Sequence, residues 1–102
     1  MSAHSRNKGA GGEREVCALL NERLGEGFAR RRLGQSREGG DDITHGMEHL
    51  VSIECKRWGK RARLEAAIEQ AEESAKDRTP VVVFRKDGDP WRALVVMDID
   101  GL

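Results

Sequence analysis

Residues 50–56 read Leu-Val-Ser-Ile-Glu-Cys-Lys, and their alternation decides the fold. On a period of two, Val51, Ile53 and Cys55 share one face of a strand, while Ser52, Glu54 and Lys56 share the other. An acid and an amine two residues apart thus leave the same face, with Cα atoms about 6.5 Å apart. At a sheet edge this would be an ordinary solvated ion pair. The pattern on either side of the strand argues for something more specific.

Downstream, residues 57–63 (RWGKRAR) are basic, contain Gly59 and read as a loop. Leu64, Ala67, Ile68, Ala71 and Ala75 then recur at helical spacing, which predicts a helix over 64–76. Pro80 opens the apolar run 81–84, a strand expected to be buried on both faces. Asp87-Gly88-Asp89-Pro90 reads as a turn and 91–97 as a last strand. Upstream, Gly46 marks a turn after a short β-compatible segment, 42–45. Residues 34–41 (GQSREGGD) read as loop and 28–33 as an exposed strand carrying Arg30, Arg31 and Arg32. Val16, Leu19, Leu20 and Leu24 predict a helix over 13–24, stopped by Gly25 and Gly27. Residues 1–12, polar and rich in glycine, read as a flexible arm. The order α-β-β-β-α-β-β describes an α/β domain over 13–102, a mixed sheet flanked by helices.

The 102-residue chain is of single-domain length. Hydrophobic residues make up 37% and charged residues 35%, with only four aromatics, so the core is lean and a partner subunit would help to complete it. Basic and acidic residues number 18 each, which excludes a polybasic protein that coats nucleic acid by charge alone. The charge is unevenly spread, because residues 1–63 hold 13 Lys or Arg against 9 Asp or Glu. That basic excess points weakly towards a polyanion. Cys17 and Cys55 lie in apolar-patterned segments, and buried free thiols explain them better than a disulfide. No zinc spacing is present. With no signal-like or membrane-spanning run in the sequence, a reduced cytoplasmic setting is expected.

Antiparallel pairing of 42–45 with 50–55 would bring Asp41 or Asp42 close to Glu54. Two neighbouring carboxylates repel unless a cation lies between them, and hard oxygen ligands suit Mg²⁺ or Mn²⁺. A polar turn after Gly39 and Gly40 would explain the two aspartates equally well. Glu13 opens the predicted helix on the side of Val16, Cys17 and Leu20, and so faces the core. Interaction with the helix N-terminus would account for Glu15 and could account for Glu13.

Lys8-Gly9-Ala10-Gly11-Gly12-Glu13-Arg14-Glu15, Asp42-Ile43 and Ile53-Glu54-Cys55-Lys56 together resemble the PD-(D/E)XK nuclease superfamily, and within it the archaeal-type Holliday-junction resolvases and their phage relatives. The resemblance covers residues 8–70 and implies a restriction-endonuclease-like αβββαβ core. It implies that Glu13, Asp42 and Glu54 bind metal, that Lys56 is the catalytic lysine, and that Gln70 is an active-site glutamine. Asp42 is preferred over Asp41 because Ile43 follows it.

The activity implied is Mg²⁺-dependent hydrolysis of DNA phosphodiesters at branched DNA, with Mn²⁺ able to substitute, in recombination or repair by a homodimer. Lys8, Arg14, Arg30, Arg31, Arg32, Arg37, Arg57, Lys60, Arg61 and Arg63 would contact the phosphates. Two other readings stay open: a non-catalytic DNA-binding or assembly module, and a nicking or restriction-like nuclease.

Overall fold

The computed structural model describes the backbone of residues 3–32 and 42–101, and the side chains of 11–32 and 42–100. Helix α1 (Ala3–Leu24) is followed by strands β1 (Ala29–Arg31), β2 (Ile43–His45) and β3 (Val51–Trp58). Helix α2 (Leu64–Ala75), strands β4 (Thr79–Lys86) and β5 (Arg92–Val95) and a single 3-10 turn (Ile99–Gly101) complete the chain. β3 and β4 run parallel, β5 pairs antiparallel with β4, and the sheet order is β3-β4-β5. A parallel pair needs a crossover, which α2 supplies. The expected α/β class and element order are therefore found.

The helix begins ten residues earlier than the glycine content suggests, so the backbone of 3–12 is helical where an arm was expected. Close packing explains Gly12: a Cβ there would lie 3.2 Å from Arg57 Cβ and 3.3 Å from Trp91 Cη2. The glycine lets α1 approach β3, a tertiary gain that offsets its poor helix propensity. Glu13 and Glu15 consequently lie inside the helix, and an N-terminal dipole role for either is ruled out.

β2 pairs with β1 rather than with β3, in the register Ala29↔His45 to Arg31↔Ile43. This segment meets β3 through Asp42, whose N–H donates to Ile53 O at 3.3 Å, and through His45, whose Nε2 lies 3.1 Å from Val51 O. The predicted 34–41 loop lies outside the described residues. β3 continues through Arg57 and Trp58, where a loop was expected, because both stay in register with Arg85 and Lys86. β5 stops at Val95, short of Met97. Val96 N–H donates to Pro80 O at 2.9 Å, but proline has no N–H to return the bond and the ladder ends there.

Two small apolar layers cover the sheet. On the α1 side, Val16, Cys17, Ala29, Ile43, Ile53 and Cys55 are buried together. On the other, Ala67 and Ala71 of α2 press on Val82, with Trp58, Phe84 and Leu94 around them. Within the 81–84 run only Val82 is fully buried, so that strand is covered less completely than its composition suggests. Cys17 and Cys55 are free and buried, as expected. Among the described residues, no helix is long and apolar enough to cross a membrane.

The contrast between neighbouring glycines of α1 can be measured. A Cβ at Gly11 would meet nothing closer than 3.9 Å. Gly11→Ala should raise stability by up to ~1 kcal/mol, whereas Gly12→Val should lower it by about 1–3 kcal/mol in urea denaturation.

Candidate functional site

Strand register sends even-numbered side chains of β3 towards α2 and odd-numbered ones towards α1. Glu54 is opposite Val82 in the ladder and is only 1% exposed beneath α2. Lys56, one step along the same face, places Nζ 3.7 Å from Glu54 Oε2 and donates to Gln70 Oε1 at 2.7 Å. Gln70 extends from the outward part of α2. The three side chains form one cluster, with an ammonium directed by an amide and adjacent to a buried carboxylate.

Asp42 is fixed at the edge of β3 away from β4. Its main-chain N–H donates to Ile53 O, and its Oδ2 accepts from Cys55 N–H at 2.9 Å. These two bonds bracket Glu54 and set Asp42 across from it. By accepting from Cys55 N–H the carboxylate also satisfies a backbone group on the strand's edge, a structural use for the same group.

Glu13 approaches from the other face of β3. Its Oε1 accepts from Arg31 Nε at 3.0 Å, and both side chains are about a quarter exposed. The Cys55 thiol is buried between Glu54 and Lys56 in the strand and accepts no charge easily. Burial pushes its pKa well up, and Asp42, Glu13, Cys17 and Glu54 push it further in that order. The Cys17 thiol is also raised, first by burial and then by Glu13, with Arg31 opposing. Among the described residues, no three His, Cys, Asp or Glu side chains gather in one metal shell.

The expected phosphate contacts divide into two groups. Arg31 pairs with Glu13, Arg32 with Glu48 at 2.9 Å and Thr44 at 3.2 Å, and Arg57 with Glu15 at 3.2 Å. These three are held within the fold. Arg14, Arg30, Lys60, Arg61 and Arg63 are exposed, the last three on the loop that leaves the end of β3. The side chains of Lys8 and Arg37 lie outside the described residues.

Sequence reasoning missed one constellation. Glu15 binds Arg57, Arg85 at 2.7 Å and the Trp91 indole N–H at 3.4 Å. Arg85 and Trp91 are 70 and 76 positions from Glu15, so no local spacing could have revealed it. No family model, curated protein or solved structure matches the chain, and the site is therefore read from its own residues.

Raised pKa values and burial make both thiols poor nucleophiles. In the native protein their alkylation by iodoacetamide near neutral pH should be markedly slower than in urea, since burial both excludes the reagent and disfavours the thiolate. Mass spectrometry of the labelled chain reads the difference.

Proposed function

We propose that the chain is a divalent-metal-dependent endonuclease of the PD-(D/E)XK kind, with the restriction-endonuclease-like core, that hydrolyses phosphodiesters of branched DNA. The observation that carries this reading is the Lys56 ammonium held between buried Glu54 and Gln70, with Asp42 fixed across the strand. An ion pair kept for surface solubility would not bury its acid beneath a helix, because an enclosed carboxylate is costly to desolvate.

The donor set fits a hard divalent cation. Mg²⁺ characteristically takes one or two carboxylates and keeps several waters, and Glu54 with Asp42, which bonds to the residues on either side of it, would provide them. Glu13, on the α1 face of the sheet and paired with Arg31, stands apart from these two. When bound, the ion supplies Lewis acidity at the scissile phosphate and a more acidic water.

The protein's own groups account for the remaining steps. Lys56 has three N–H donors. One goes to Gln70 and one points at Glu54, so the third can hold a phosphate oxygen or the attacking water. Its positive charge lies where negative charge accumulates as the phosphorus becomes five-coordinate, and fixed donors at such a point lower the barrier. Gln70 limits the directions the flexible lysine can take. Lys60, Arg61 and Arg63 extend a cationic surface beyond the end of β3, suited to phosphates rather than base edges.

Cleavage of a mobile four-way junction, a flap and plain duplex, with Mg²⁺ or with chelator, tests the reading. Glu54→Gln, Asp42→Asn and Lys56→Met should each reduce Mg²⁺-dependent cutting by at least ~100-fold while retaining the wild-type far-ultraviolet circular dichroism. Gln70→Ala should reduce it less. Cutting retained in all three would overturn the assignment. Junction binding without cutting in either Mg²⁺ or Mn²⁺ would establish the binding-module reading instead, and equal cutting of plain duplex a restriction-like one.

A further inference from the structure

β5 ends the sheet, and among the described residues no strand lies beyond it. The bond from Val96 N–H to Pro80 O fixes which backbone groups face inward: those of residues 92, 94 and 96 point at β4, while those of Ala93 and Val95 point outward. A bare edge of this kind is usually blunted by lysine, proline or a bulge. Here it is followed by exposed apolar side chains instead. Val95 is 51% exposed, Met97 57% and Ile99 83%, in a chain where 35% of residues are charged.

We propose that a second copy of the chain covers this edge, with the two β5 strands pairing antiparallel about a two-fold axis at Val95. Self-pairing in that register makes the outward groups meet. Val95 faces its own copy in a hydrogen-bonded pair, and Ala93 faces Met97 of the other chain, so apolar side chains match on one side of the sheet. The other side matches by charge. Arg92 comes opposite Asp98 of the second copy in a non-hydrogen-bonded pair, where side chains lie closest, and symmetry makes that contact twice. Both residues are exposed in the single chain.

Pairing extends β5 through residue 98 and produces one six-stranded sheet in the order β3-β4-β5-β5-β4-β3. The two-fold axis is perpendicular to that sheet, so both Glu54–Lys56–Gln70 clusters open on the same face. The two β3 strands are then separated by five strand spacings, about 24 Å at ~4.8 Å each. The inference stands apart from the nuclease reading, because it rests on the sheet edge and its charges alone.

Sedimentation of the full chain over nanomolar to millimolar concentrations tests it, and the wild type should be a dimer. Val95→Pro removes an N–H that β4 does not use, so it should yield monomer with an unchanged circular dichroism spectrum. Arg92→Asp and Asp98→Arg should each weaken the dimer by about tenfold, the effect of placing like charges opposite one another at two symmetric positions. Combining them should restore it. A wild-type monomer throughout, or a dimer indifferent to Val95→Pro and to both charge reversals, would overturn the proposal.

Discussion

The molecule is organised around the burial of one carboxylate. Glu54 sits at 1% exposure in a chain whose core is two thin apolar layers. Such a group is tolerated only when its surroundings are fixed, since an enclosed charge without ordered polar neighbours destabilises by several kcal/mol. β3 is held on one side by the full parallel ladder to β4 and on the other by the two bonds of Asp42. α2 packs on the Glu54 face of the sheet through alanines, whose small side chains allow a helix to lie close to it. Lys56 and Gln70 then form the boundary between that interior and solvent.

The two faces of the sheet have different electrostatic roles. On the α1 face, Glu13 and Glu15 neutralise three arginines that would otherwise crowd a small surface. On the α2 face a single acid is paired with an amine that retains unused hydrogen-bonding capacity. The basic excess of the first 63 residues is thus partly internal. Only its exposed fraction, including the loop after β3, can act on a polyanion.

Much of this is legible in the sequence because it is local. The strand bearing Glu54 and Lys56 follows from alternation, the second helix from alanines and leucine at three and four residues, and the meeting of Lys56 with Gln70 from a motif resemblance. What the sequence hides is non-local. A helix running through Gly9, Gly11 and Gly12 contradicts propensity, and only the approach of Arg57 and Trp91 to Gly12 explains the last of these. The true partner of β2 is hidden because a short strand preceding a turn reads as half of a hairpin with whatever follows. The early end of β5 depends on Pro80, a residue in a different strand.

Glu15 has a further consequence for motion. One side chain joins the first helix to β3, to β4 and to the segment just before β5, contacts that span 42 to 76 positions of chain. Detaching α1 therefore breaks three bonds at once and exposes Gly12's tight seat. Fraying should be an all-or-none event shared by the helix and the far strands, so their amide protons should exchange with solvent at closely similar rates rather than in a gradient from either end.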